Sequence, residues 1–277
     1  MSYTDFRYNN LAVVDLISTL QRVEINPTEL CNRTCVFCPR SRPDMYKNQK
    51  LHMSIDTCEL IGQQLQNINY SGTIGFVGFG EPMLHPNLIT CIETVRKYTN
   101  VPIEVNTNGD FLTKQTAKDL INSGCTNITV SMYDSDQSEH FQSICGDLDV
   151  TLTLRHHYNA TAEYNLNIVN RIAIVDKNAQ VETITRPCYM PFYKMFIDWN
   201  GDYLLCDQDW PRASAGQYNI HQITIKDFWL DKINSYRRPL IDGDRSVNAP
   251  CNKCDINGTV RGVDSFNLIK DYLTHSA

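Results

Sequence analysis

Short β-branched runs alternate with amphipathic stretches between residues 22 and 175. Residues 23–26, 73–79, 102–107, 127–132 and 168–175 read as strands, with 150–154 as a weaker one. The intervening stretches have helical spacing. Ser54 is a candidate N-cap for a helix with Cys58, Ile61 and Leu65 on one face. A second helix follows Pro86 through Tyr98, and a third opens at Thr113 and closes at Gly124. Strands that alternate with helices predict βαβ units and a parallel sheet. Five or six units fit this length, fewer than the eight of a closed barrel.

The pattern changes after about residue 184. Residues 196–199, then Asn200-Gly201, then 202–205 predict an antiparallel hairpin with a type I′ turn. A helix over 225–240, a knuckle at 250–254 and an amphipathic helix over 264–273 complete a small α+β module. The predicted organisation is a domain over 1–184 followed by a module over 185–277 docked on the parallel sheet. Tyr189, Tyr193, Phe196 and Trp199 are candidates for the module's core.

Composition narrows the class. With 42% hydrophobic residues, 10% aromatics, 13 Gly and 11 Pro, the chain builds a sizeable core. A net charge of −6 gives no broad cationic field for a phosphate backbone, so nucleic acid is not the expected partner. No run of about 18 apolar residues occurs, and residues 1–20 carry Asp5, Arg7 and Asp15 without a cleavage pattern. A soluble cytoplasmic protein, with no membrane partner, is the expectation.

Eleven cysteines cannot all pair internally, which favours metal ligation. Cys31, Cys35 and Cys38 form C-x3-C-x2-C just beyond the first strand, where loops of parallel sheets carry active sites. Three thiolates satisfy three irons of a [4Fe–4S] cube and leave the fourth open; structural zinc wants four closed ligands. Cys188, Cys206, Cys251 and Cys254 form C-x17-C-x44-C-x2-C. Four cysteines close either a zinc tetrahedron or a complete [4Fe–4S] cluster, and spacing alone does not choose.

The first motif, with Phe37 in its aromatic slot, resembles the signature of radical S-adenosylmethionine enzymes. Membership implies a partial (β/α)5–6 TIM-like barrel of the α/β class. It also implies S-adenosylmethionine chelated by the open iron and reductively cleaved to a 5′-deoxyadenosyl radical. Gly78-Phe79-Gly80-Glu81-Pro82 resembles the family's Gly-Gly-Glu-Pro motif, which binds the methionine ammonium, with Phe79 departing from glycine. Asn106-Thr107-Asn108 resembles the segment near the nucleoside, and Ser131 holds a place often used for the ribose hydroxyls. The C-terminal cysteines resemble a SPASM or shorter twitch module, here with one auxiliary cluster, so two [4Fe–4S] clusters in all.

Asn170-Arg171 resembles a pair that precedes such modules and puts Arg171 near the substrate. The resemblance implies an oxidoreductase that takes hydrogen from a small sugar- or cyclitol-like substrate and oxidises an alcohol, the electron leaving through the auxiliary cluster. A donor such as flavodoxin or ferredoxin would supply the reducing electron. An epimerase or a peptide-modifying maturase is the alternative. Epimerisation needs a thiol hydrogen donor, for which Cys145, in an expected loop, is a candidate. A maturase commonly adds a domain ahead of the barrel, whereas about twenty residues precede the first strand here. His156 and His157 point to opposite faces of a strand, so at most one serves a given site.

Overall fold

The computed structural model describes residues 16–44, 46–134, 136–157 and 184–275. The predicted strand over 168–175 and Arg171 lie outside these. Among the described residues seven strands form one sheet: β1 (Arg22–Ile25), β2 (Thr73–Phe76), β3 (Ile103–Thr107), β4 (Asn127–Met132), β5 (Thr151–His156), β6 (Lys194–Ile197) and β7 (Tyr203–Leu204). Their order is β5-β4-β3-β2-β1-β6-β7. Every neighbouring pair is parallel except β6 and β7. The open parallel sheet is that of a partial TIM barrel.

Helices α1 (Ile55–Asn67), α2 (Leu88–Arg96), α3 (Lys114–Asn122) and α4 (Gln137–Cys145) connect the first five strands. Local chemistry starts two of them as predicted. The Ser54 hydroxyl accepts from the Thr57 N–H, and Thr113 with Thr116 makes a reciprocal capping box. The structure corrects one placement: Cys145 ends α4 and is buried, so it is not a loop residue.

Period-two alternation separates the two faces of the sheet. Val23, Ile25, Ile74, Phe76, Ile103, Val105, Ile128, Val130, Met195 and Ile197 are each 0% exposed and belong to one core with the helices. Burying each such side chain contributes roughly 1.5–3 kcal/mol. The other face presents Arg22, Glu24, Glu104, Asn106, Thr129, Thr153, Arg155, Lys194 and Phe196 to a cavity of about 700 Å³. Apolar side chains therefore fix the sheet to its helices and leave a polar chamber on the opposite face.

The hairpin forms, with two differences. Its first strand, β6, pairs in parallel register with β1, Arg22 opposite Lys194 and Ile25 opposite Ile197, so it extends the sheet instead of docking on it. A type I′ turn needs positive φ at both central residues. Gly201 alone of the pair has it, at +86°, and its N–H donates to Asp198 O at 2.8 Å. Of the four aromatics expected in the module's core, Phe196 is buried with Leu204, Trp210 and Cys254, joined there by Phe79, and Tyr189 packs on Phe266, while half-buried Tyr193 lines the chamber. Beyond the hairpin come a short helical turn (Ile225–Asp227), a π-helical segment (Phe228–Lys232), α5 (Asn234–Ile241) and α6 (Val263–His275). Among the described residues no helix is long and apolar enough to cross a membrane.

Candidate active site

The loops that leave the C-terminal ends of β1 to β4 meet around a second cavity, of about 150 Å³. Cys31, Cys35, Phe37 and Cys38 line it from the β1 loop; Gly78, Gly80 and Glu81 from the β2 loop; Asn108 and Ser131 from the ends of β3 and β4. Pro82 starts the helical turn that follows Glu81. Val77, Gly78, Asn106, Arg155 and Trp210 line both this cavity and the large chamber, so the two adjoin. Motifs separated by about a hundred residues thus share one pocket.

A buried guanidinium holds the cysteine loop in place. Arg40, two residues past Cys38 and 5% exposed, donates to the carbonyls of Phe79 and Glu29 and, at 2.8 Å, to Asn48 Oδ1. Asn48 in turn accepts from Cys31 N–H and donates to Cys31 O, both at 2.9 Å. One planar fork thereby joins the cysteine loop to the Gly78–Pro82 turn. Below it, the Asn26 side chain accepts from Phe79 N–H at 3.0 Å and donates to Glu29 and Asp198. Arg212 pairs with Glu29 and Asp198, which ties the β1 loop to the β6 turn.

Close backbone approach explains the glycines. A Cβ on Gly80 would collide with Thr28 O, and one on Gly78 with the Asn26 side chain. Phe79 is accommodated where glycine was expected because its ring leaves this backbone contact and packs on Phe196 and Trp210, 5.0 and 4.5 Å between centroids.

Glu81 is 2% exposed. Its Oε1 accepts from Thr107 Oγ1 at 2.6 Å and Met83 N–H at 3.1 Å; Oε2 accepts from Asn108 N–H at 2.7 Å. Burial raises its pKa above the usual carboxylate range, while these donors pull it back. A carboxylate has about four acceptor positions. Three are filled, so the remaining one, on Oε2, could take an ammonium. Glutamine here would turn an NH2 toward one of these donors. Glu81→Gln is expected to weaken S-adenosylmethionine binding by about ten- to a hundredfold, the worth of a charge-assisted hydrogen bond, with iron content unchanged. Calorimetric titration of the reconstituted protein measures this, and an unchanged Kd removes Glu81 from the site.

Three aromatic groups form one wall, of which Phe37 was named and His157 weighed from the sequence but Tyr133 was missed. Phe37 stacks on His157 (5.2 Å, 7°) and Tyr133 (5.9 Å, 16°), and Arg33 covers the Tyr133 ring at 4.4 Å. His157 Nε2 is 3.3 Å from Ser131 Oγ, so of the two adjacent histidines it is His157 that faces this pocket. Arg33 also pairs with Asp110, and Asn108 donates to Asn32 at 2.8 Å, which closes the cysteine loop against the β3 loop.

A third cavity brings together Cys188, Cys206, Cys251 and Cys254, walled by Pro191, Leu205, Leu240 and Ile256. Arg245, 2% exposed, donates to the carbonyls of Arg186 and Pro187 on the Cys188 side and of Ile256 and Asn257 on the Cys254 side. Burial and neighbouring sulfurs push the Cys251 thiol up to about 12 and Cys254 up to about 11; Cys35 likewise stands at about 11. Metal ligation requires thiolates, so iron binding at either site releases protons. Both donor sets fit an iron–sulfur cluster: three thiols facing a polar pocket in one case, four thiols in an apolar one in the other.

The chain belongs to the Radical SAM superfamily, whose model matches residues 25–178, and an iron–sulfur cluster-binding domain of the SPASM type matches residues 188–255. It is therefore an enzyme that uses S-adenosylmethionine with a [4Fe–4S] cluster and carries additional iron–sulfur binding in its C-terminal part. Along its length it is similar to the S-adenosyl-L-methionine-dependent 2-deoxy-scyllo-inosamine dehydrogenase of Niallia circulans, 26% identical over 263 residues, 92% of this chain and all of that protein. A GTP 3′,8-cyclase of Campylobacter jejuni is 27% identical over 182 residues, covering 58% of this chain and 54% of the cyclase. Among solved structures, BtrN in complex with AdoMet and 2-DOIA superposes with a TM-score of 0.73 at 25% identity, covering 88% of this chain and 97% of BtrN. Streptococcus suis SuiB bound to S-adenosylmethionine shares the fold, with a TM-score of 0.51, 15% identity and coverage of 91% and 76%.

Proposed function

We propose that this chain is a cytoplasmic radical S-adenosylmethionine dehydrogenase that oxidises a secondary alcohol of a small cyclitol- or sugar-like substrate to a ketone. The observation that carries the reading is the position of the large polar chamber. On one side it adjoins the cavity of Cys31, Cys35 and Cys38; on the other its wall includes Asp207, the residue after Cys206. The bound cofactors supply a hydrogen-abstracting carbon radical and an iron–sulfur acceptor for one electron.

The chain's own groups do the rest. Cys31, Cys35 and Cys38 would ligate the S-adenosylmethionine-binding cluster, Glu81 the methionine ammonium, and Ser131 and Asn108 the nucleoside. Cys188, Cys206, Cys251 and Cys254 would ligate the auxiliary cluster. Phe37, Tyr133 and His157 wall one side of the pocket against water. Arg155, exposed between the two cavities, has donors for substrate oxygens, and Arg171 remains a candidate for the same work. A flavodoxin- or ferredoxin-type protein would deliver the reducing electron. The similarity to a cyclitol dehydrogenase over 92% of the chain supports this substrate class. Against an epimerase, Cys145 lies in the core with the helices and lines neither cavity.

Anaerobic turnover with dithionite, S-adenosylmethionine and a panel of cyclitols and sugars in heavy water tests the proposal. A ketone two mass units below the substrate is expected. An epimer one mass unit above the substrate, carrying one solvent deuterium, would make the chain an epimerase.

A further inference from the structure

Beside the chamber stands an ion triad in which Lys194 and Glu24 are buried and the Asp207 side chain is 33% exposed. Lys194, the first residue of β6, is 6% exposed, and its ammonium lies 3.2 Å from Glu24 Oε2 and 3.1 Å from Asp207 Oδ1. All three side chains line the chamber. Asp207 is also bonded through the chain to Cys206, whose side chain lines the apolar cavity behind it. Arg22 extends the network, with Nε 2.9 Å from Glu24 and Nη1 2.8 Å from Glu104.

An ammonium is costly to bury, and an apolar side chain of similar volume commonly serves stability as well. As an acid or base Lys194 is poorly suited, since two carboxylates hold it protonated. What it does provide is a fixed positive charge on the wall next to the cysteine site. Asp207, bonded through the chain to Cys206, provides a negative charge beside it. Charges this close to a site act on a group that changes charge by one unit even when partly screened from the chamber side. An iron–sulfur cluster gains one negative charge on reduction, and local charge is among the factors that set its potential.

We propose that Lys194 and Asp207 together set the reduction potential of the cluster ligated by Cys188, Cys206, Cys251 and Cys254, Lys194 raising it and Asp207 lowering it. Lys194 is thus a positioning residue that acts through the cluster's energy and not by touching substrate. The inference rests on the dehydrogenase reading only for the direction of electron flow. In that step the carbon radical left on the carbinol forms its C=O bond, the hydroxyl proton goes to solvent, and one electron reduces the cluster.

Potentiometric titration followed by electron paramagnetic resonance tests this on reconstituted full-length protein with Cys31, Cys35 and Cys38 changed to alanine, so that one cluster is read. Lys194→Met is expected to shift the midpoint to more negative potential, Asp207→Asn to more positive potential, and Lys194→Arg to leave it near the parent value. Shifts of opposite sign separate a charge effect from general loosening, which would move both variants the same way or broaden both signals. Unchanged midpoints, or shifts of one sign, overturn the proposal. Should Lys194→Met lose its cluster, the positive shift of Asp207→Asn beside an unshifted Lys194→Arg still decides it. Opposite shifts with no alcohol oxidised by the enzyme that retains its cysteines would sustain the proposal and remove the dehydrogenase reading. Ketone formation with unchanged midpoints would do the reverse.

Discussion

A variant with Cys31, Cys35 and Cys38 all changed to alanine is expected to cleave no S-adenosylmethionine while retaining about four iron atoms per chain, the content of one [4Fe–4S] cluster. The three cysteines sit on one loop, held by Arg40 and Asn48 against the Gly78–Pro82 turn. The other four line a different cavity, framed by Arg245. Arg40 with Asn48 and Arg245 thus anchor the two sites to separate backbone segments, so emptying one is expected to leave the other's ligands in place. Iron analysis and an assay for 5′-deoxyadenosine read the two halves of the prediction separately. Iron near zero would mean that the two sites assemble together.

The second large effect is expected from Cys251→Ala combined with Cys254→Ala. These residues flank one helical turn, with Cys254 N–H donating to Cys251 O at 3.0 Å, so the double change removes half of the four-thiol donor set at one place. The pocket at the ends of β1 to β4 is untouched, so S-adenosylmethionine cleavage should continue. Alcohol oxidation should not. The ratio of ketone to 5′-deoxyadenosine is expected to fall more than about tenfold, an added barrier above ~1.4 kcal/mol on the productive branch. Ligation also staples the segment between Cys188 and Cys254, so thermal unfolding should be recorded alongside. A variant that keeps a cooperative transition and still yields ketone in the parent ratio would remove these cysteines from the reaction.

Much of the candidate site was legible because its chemistry is local. C-x3-C-x2-C on one loop, glycines where backbones meet, and a carboxylate at a strand end are short-range patterns whose residues act together wherever the loop goes. The same holds for Ser54 and Thr113 as caps, since each cap is closed by a backbone N–H three residues away. Cys145 was misplaced for an equally local reason. A nine-residue helix without a side-chain cap, starting after Asp136, carries little signal of its own and is held by packing Phe141, Ile144 and Cys145 into the core.

By itself, then, the amino-acid sequence determined the alternating strands and helices, the two groups of cysteines and the motifs around the first, because periodicity and ligand spacing are properties of neighbouring residues. The tertiary structure decided what those elements meet. It put β6 beside β1 across some 170 intervening residues, so that Lys194 faces Glu24 and a predicted docked module became part of the sheet. It also buried the guanidiniums of Arg40 and Arg245, and stacked Phe37 on His157 and Tyr133. An isolated arginine or histidine reads as a solvated surface residue until the carbonyls or rings that desolvate it are brought up from distant parts of the chain. That cost, and its compensation, exist only once the fold has closed around them.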